Sequence, residues 1–240
     1  MPGAVWAVIL AFVKAMILAA GRGERMRPLT DRIPKPLLAV AGKALIEFHV
    51  EALVDAGIRD IVVNLSHLGE TVEQALGDGR RYGAHLSYSW ERPKALETGG
   101  GIFNALPLLG GQPFVVVNGD IWTDYPFVSL PQDPPALAHL VLVSNPAHHP
   151  EGDFGLQRDG QIVDDGGAAR LTYSGIGVYR PEMFSACRAG AFALAPLLRH
   201  AISQGHVSGE HYTGRWYDIG TPQRLEQLQR VLDPGARLDA

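Results

Sequence analysis

The sequence predicts an α/β fold, with a central, mostly parallel mixed sheet flanked by helices, on three observations. From Ala15 onward, short apolar runs alternate with amphipathic stretches, the pattern of strands and crossover helices. Ile61, Val62, Val63 and Leu65 form an apolar run suited to a strand covered on both faces. A glycine-rich loop follows the first run directly, at the position where an open α/β sheet binds its ligands.

The elements follow in order. Ala15–Ala20 is the first strand. Leu45, Phe48, Ala52, Leu53 and Ala56 recur at helical spacing and stop at Gly57. A short helix over Leu68–Leu76 and a strand over His85–Trp90 come next. Gly99–Leu108 reads as a helix with Thr98 as its N-cap, and Phe114–Val117 as a central strand ending in Asn-Gly-Asp. In the second half, Leu137–Val143 is a strand, and the Gly- and Asp-rich stretch Gly152–Gly167 predicts short hairpins. Strands at Leu171–Tyr179 and Arg215–Ile219 would finish the sheet, with helices at Pro181–Cys187, Ala193–Ser203 and Pro222–Leu232. Without an internal repeat, a low-complexity tract or a long linker, residues 14–235 read as one domain, and the last few residues of the chain are expected to fray.

Ala4–Ala20 is almost wholly apolar and has the look of a signal peptide or a membrane span. Lys14 interrupts it, no basic region precedes it, and its second half is needed as the first strand. Residues 1–13 are therefore expected to be an appendage, and no membrane partner is expected. The net charge of −4 and pI near 6.1 give no basic excess for tracking a nucleic acid. Cys187, the only cysteine, excludes an intramolecular disulfide and a Cys-based zinc site; it suits a reducing cytoplasm and reads as a core residue.

The chemistry concentrates in Leu18-Ala-Ala-Gly-Arg-Gly-Glu-Arg-Met-Arg-Pro-Leu-Thr30. Gly21 and Gly23 let the backbone turn and aim several N–H groups at one point, a nest for phosphate oxygens, while Arg22, Arg25 and Arg27 add forked donors. A lone Gly-x-Gly would read as a tight turn with solvated arginines. The loop lacks the Lys-Ser/Thr of a P-loop and the third glycine of the dinucleotide fingerprint. In Ile33-Pro-Lys-Pro-Leu37, two prolines restrict the backbone around Lys35, a cation useful where two phosphates must approach. Taken singly, Lys35 reads as a surface lysine. Asp120, in Asn118-Gly-Asp, sets a carboxylate at the carboxyl end of an apolar strand. It reads as a hard oxygen ligand for magnesium or as an ordinary turn residue.

Together these motifs resemble the sugar-1-phosphate nucleotidyltransferases, whose signature is a Gly-x-Gly-x-Arg loop, then Pro-Leu-Thr, then Lys-Pro. The chain departs from the family's usual pattern at Ala39 and Ala44, where proline is common. The resemblance implies a Rossmann-like nucleotidyltransferase fold with a small β-rich sugar-binding insertion, and Mg2+ as cofactor. Arg25 would grip the β- and γ-phosphates of a nucleoside triphosphate, and Lys35 would stand between the α-phosphate and the sugar phosphate. Asp120 and Asp218, the latter in Trp216-Tyr-Asp-Ile-Gly-Thr-Pro222, would hold the metal. Leu18, Ala19, Ala20, Gly21, Arg22 and Gly23 would line the nucleotide on one side; Leu96, Thr98 and Gly99 would lie along the base, and Gly100 would reach the sugar. Glu91 would accept the N3–H of uracil or thymine, or else is a solvated residue at a strand end. Asn118, Asp153, Ser174, Gly175 and Glu210 would serve the sugar.

Within the family the chain is most similar to the N-acetylmuramate-1-phosphate uridylyltransferases of peptidoglycan recycling. That likeness rests on Leu96–Ile102, Asn118–Asp124 and Val207–Tyr212. It implies UTP and a sugar carrying a lactyl carboxylate, for which His211, Tyr212 and Arg215 are candidate donors. The partners would be these small molecules, and the chain a monomer or small homo-oligomer. Mannose-1-phosphate guanylyltransferase and glucose-1-phosphate thymidylyl- or uridylyltransferase are the alternatives in the class. A non-catalytic sensing module is the alternative outside it, and an NAD-dependent dehydrogenase is disfavoured by the loop. The nucleophile of such a transfer is already anionic, so the nine histidines need no catalytic role.

Overall fold

The computed structural model describes residues 14–164 and 169–233; the expected appendage at 1–13, the end of the Gly- and Asp-rich stretch and the expected frayed end beyond 233 lie outside them. In chain order the elements are β1 (Lys14–Leu18), β2 (Ala39–Val40), β3 (Lys43–Ala44), α1 (Leu45–Asp55), β4 (Asp60–Leu65), α2 (Gly69–Leu76) and β5 (His85–Trp90). Then come α3 (Glu97–Leu109), β6 (Phe114–Asn118), β7 (Ile121–Thr123), β8 (Ala138–Val143), β9 (Phe154–Leu156), β10 (Ile162–Val163) and β11 (Arg170–Tyr179). The chain closes with α4 (Leu194–Ser203), β12 (Val207–Tyr212), β13 (Trp216–Asp218) and α5 (Pro222–Leu232).

β5, β4, β1 and β6 run parallel, β11 and β8 continue the sheet antiparallel, and β12 lies parallel to β8. Alternation along β1 decides which helices cover it. Ala15 and Ile17 pack on one face with Ile46, Val50 and Leu53 of α1. Met16 packs on the other with Ile102 and Ala105 of α3. Each fully buried aliphatic side chain of this kind contributes about 1.5–3 kcal/mol. The central strand is thereby held on both faces, and its carboxyl end is a rigid base for the loop that follows. A separate small core of Met26, Leu38, Val40, Leu45, Trp122, Ile219 and Leu228 ties that loop to α5.

The β9–β10 hairpin, paired through β9 with the start of β11, is the small β-rich insertion. Four expectations need correction. β13 does not finish the main sheet; it pairs antiparallel with β7 in a two-stranded ribbon, because the main sheet is completed instead by β12, which was not foreseen. α3 begins at Glu97 with Leu96 at its cap, so Thr98 lies inside the first turn. Pro181–Phe184 is a single short 3-10 turn in place of a helix reaching Cys187. Cys187 is half-buried at the edge of the core, where burial raises its thiol pKa. Among the described residues no helix is long and apolar enough to cross a membrane.

Candidate active site

The parallel strands β1, β4 and β6 end at a cavity of about 350 Å³. Leu18–Gly21 and Gly23–Met26 form one wall, Ala95, Glu97 and Thr98 another, and Lys35, Asn118, Gly119, Asp120 and Gly220 the end. Gly23 sits in the left-handed region at φ 68°, where a β-carbon would also stand 3.0 Å from Thr30 Cγ2 and 3.3 Å from Lys35 Cβ. Only glycine fits there without strain. The carbonyl of Gly23 accepts from Met26 N and from Thr30 Oγ1, each at 2.8 Å, so the loop is wound into a 3-10 turn anchored by buried Met26. That turn presents Arg25 to the cavity, with Nη2 3.2 Å from where a β-carbon on Gly220 would stand.

Lys35 is 8% exposed, and its Nζ donates to Asp120 Oδ2 at 2.7 Å. Asp218 approaches from the other strand of the ribbon, in register with Ile121, and Ile219 N donates to the carbonyl of Asp120 at 2.8 Å. Asp218 Oδ2 meets the Arg224 guanidinium and, at 3.2 Å, His148 Nε2. Both carboxylates are thus charge-compensated through one oxygen. Among the described residues they belong to no larger cluster of His, Cys, Asp or Glu suited to a metal. Two hard oxygen donors without a third protein ligand fit Mg2+, which takes one or two carboxylates and completes its shell with water and substrate phosphate. They fit zinc poorly.

A model of the nucleotidyl transferase family matches residues 14–233. The chain belongs to the nucleotidyl transferase family. It is 54% identical over 226 residues to the N-acetylmuramate alpha-1-phosphate uridylyltransferase of Neisseria meningitidis serogroup B, covering 91% of this chain and 98% of that one. The enzyme of the same name from Caulobacter vibrioides is 38% identical over 223 residues, covering 87% and 92%. The inositol-1-phosphate CTP transferase of T. maritima shares the fold, with a TM-score of 0.75 at 19% identity over 95% of this chain and 98% of its own.

The residues read from the sequence divide by their place around the cavity. Leu18, Ala19, Ala20, Gly21, Gly23, Arg25, Lys35, Glu91, Thr98, Asn118 and Asp120 converge on the cavity. Arg22 turns outward, paired with Glu24 at 2.8 Å, and borders a neighbouring cleft with Trp90 and Arg92. Leu96, Gly99 and Gly100 support the wall without lining it: Gly99 packs against Phe192, and Gly100 N donates to Phe192 O at 3.0 Å.

Of the residues read for the sugar, Asn118 alone lines the cavity. Gly175 lies at a bulge of β11 where a β-carbon would come 2.6 Å from Asn118 Nδ2, so the two are in close contact. The Ser174 hydroxyl is spent on Val141 O at 2.7 Å. Asp153 accepts from Tyr173 N at 2.8 Å and faces His149 at 3.2 Å. Glu210 accepts from the Tyr125 hydroxyl on the α1 side of the sheet.

Glu91 is not solvated. It is 2% exposed, accepts from Asn64 Nδ2 at 2.7 Å and from Leu96 N at 2.6 Å, and burial raises its carboxyl pKa against those two bonds. Asn64 was missed by sequence reasoning, although it carried a signal: it is a polar residue inside an otherwise apolar strand, and a buried amide needs partners. Glu97 and Gly220 also line the cavity; each lies inside a segment singled out in the sequence, Leu96–Ile102 and Trp216–Pro222, without having been read as a site residue.

Proposed function

We propose that this chain transfers the uridylyl group of UTP to N-acetylmuramic acid α-1-phosphate, giving the UDP-sugar and pyrophosphate, with Mg2+ as cofactor. The observation that carries the reading is the 54% identity to a uridylyltransferase of that specificity over nearly the whole of both chains. The gathering of Arg25, Lys35 and Asp120 on one cavity, with Asp218 beside Asp120, supports it. Residues 14–235 act as one catalytic domain in the cytoplasm, as a monomer or small homo-oligomer with no nucleic-acid or membrane partner.

In this reading a sugar-phosphate oxygen attacks the α-phosphorus, and the bond from that phosphorus to the oxygen bridging to the β-phosphorus breaks in line. The attacking oxygen is already ionised, so no general base is needed; catalysis consists of bringing two polyanions together and spreading their charge. Arg25 holds the β- and γ-phosphates. Lys35 Nζ stands between the α-phosphate and the sugar phosphate, steadied by Asp120. Asp120 and Asp218 hold Mg2+, which when bound neutralises charge on the phosphate oxygens. The backbone of Ala19–Gly21 and residues Leu96–Gly99 enclose the base, and Glu91 accepts the N3–H of uracil. Asn118 and Gly175, with Gly100, Asp153, Ser174 and Glu210, shape the sugar side. For the lactyl carboxylate, Tyr212 and Arg215 are tied to Asp124, whereas His211 meets the Ser144 hydroxyl at 3.2 Å, which favours His211 as its donor.

The test is kcat/KM, by pyrophosphate release, for the 1-phosphates of N-acetylmuramic acid, N-acetylglucosamine, glucose and mannose with UTP, dTTP and GTP in turn. N-acetylmuramate 1-phosphate with UTP is expected to lead by tenfold or more. A tenfold lead for mannose 1-phosphate with GTP would replace the reading with the guanylyl one, and no turnover with any pair would leave a sensing module.

A further inference from the structure

Asn64 is the sole polar side chain in the buried part of β4 and is only 3% exposed. Its Oδ1 accepts from Ala19 N at 2.6 Å, and its Nδ2 donates to Glu91 Oε1 at 2.7 Å. The second oxygen of Glu91 accepts from Leu96 N at 2.6 Å. A backbone N–H can only donate and an ionised carboxylate can only accept, so the amide between them has a single permitted orientation. A continuous buried chain of hydrogen bonds therefore runs from the glycine-rich loop, through β4 and the end of β5, to the loop that opens α3. Helix α3 seals it. A β-carbon on Gly101 would stand 2.5 Å from Glu91 Oε1 and 3.0 Å from Asn64 Nδ2, so only a residue without a side chain lets the helix cover the pair.

This run of hydrogen bonds joins the two walls of the nucleotide cavity, and Asn64 and Glu91 both line that cavity. We propose that Asn64 is a positioning residue for nucleobase selection. Anchored by Ala19 N–H, it holds Glu91 as an ionised acceptor, so that the cavity takes a base offering a ring N–H and refuses one offering a ring lone pair. The inference rests on the proposed contact between Glu91 and the base. Its physical content is that a buried carboxylate stays an acceptor only while donors satisfy it, and among the described residues Glu91 has an amide and a backbone N–H in place of a cation. Removing the amide lets the carboxyl group take up a proton or turn away, and either change abolishes the selection. Uracil and cytosine match in size and differ at ring N3, which bears a proton only in uracil, and at C4, an oxygen in uracil and an amino group in cytosine; a change in their ratio between variants reads the effect. Guanine and thymine also offer a ring N–H, so this contact by itself does not separate them from uracil.

The experiment uses the full chain and the variants Asn64→Leu, Asn64→Asp and Glu91→Gln. Dissociation constants for UTP and CTP are measured by calorimetry. The kcat/KM for each is measured with the best sugar phosphate of the panel above, and cooperative melting is checked. Asn64→Leu is expected to lower the UTP-to-CTP preference at least tenfold while the KM for sugar phosphate stays within twofold. Asn64→Asp, which is isosteric and keeps the Ala19 bond, is expected to do the same because facing carboxylates share a proton; it decides the matter if Asn64→Leu does not fold. A preference unchanged in both Asn64 variants, with only the melting temperature lowered, assigns Asn64 a structural role and overturns the proposal. If Glu91→Gln abolishes the preference and the Asn64 variants do not, the proposal fails and the Glu91 contact stands. If Glu91→Gln also leaves the preference at its original value, the contact itself fails, and the proposal with it.

Discussion

Lys35→Met keeps the buried stem of the side chain and removes the ammonium, so it isolates the charge. The Nζ stands 2.7 Å from Asp120 Oδ2, with the lysine side chain 9% and the aspartate side chain 40% exposed. At an effective dielectric of roughly 20, a unit charge about 4 Å from a phosphate charge is worth about 4 kcal/mol. Loss of one preorganised donor in other enzymes costs about 3–4 kcal/mol, so kcat is expected to fall roughly 100- to 1000-fold. The fold should lose far less. Asp120 opens to water and is not left as a buried unpaired charge, so its pair with Lys35, discounted for that exposure, contributes about 1 kcal/mol or less. Pyrophosphate-release kinetics and urea denaturation read the two effects separately. A kcat within tenfold of the original chain would refute the assignment of Lys35 to the phosphates. A large loss of kcat accompanied by loss of cooperative unfolding would assign the residue to the fold instead.

Arg25→Ala should lower kcat/KM for UTP on the order of 100-fold, since an exposed arginine lining the cavity contributes to binding more than to packing; a change confined to the KM for sugar phosphate would contradict its place on the triphosphate. His49 is buried under the site, with Nε2 2.8 Å from Ile121 O, and desolvation lowers its pKa to about 4. The unfolded imidazole titrates near 6.5, so the unfolded state binds more protons between those values, and stability present above pH 6.5 is lost as pH falls toward 4. Linkage puts the loss between pH 7 and pH 5 at about 2 kcal/mol; urea denaturation should show it in the original chain beyond that of His49→Gln, and equal losses would show that the imidazole is not held neutral. Removing residues 1–13 should leave kcat and the melting temperature unchanged, because the family match and β1 both begin at residue 14. A truncated chain without a cooperative melt would place the segment in the core.

What the sequence determined by itself was what depends on near neighbours along the chain. The apolar run at Ile61–Leu65, the helical spacing from Leu45 to Ala56 and the proline start of α5 each specify an element locally, and the structure places them within about two residues. The glycine-rich loop, the Lys35 turn and the Asn118–Asp120 strand end were likewise singled out by residue types at close spacing, and they converge on one cavity. The tertiary structure alone decided which distant pieces meet. A strand over Arg215–Ile219 was legible but its partner was not: β13 pairs with the three-residue β7, too short to show a period, and that pairing sets Asp218 beside Asp120. Val207–Tyr212 carries a glycine and four polar or ionisable groups, and it is a strand because β8 offers it an open edge. Asn64 lies on β4 and Glu91 just beyond the end of β5, so the burial of Glu91 and the bond between the two leave no mark in either local pattern. A hydrogen bond across a sheet depends on register, and register is settled only when the whole core has packed.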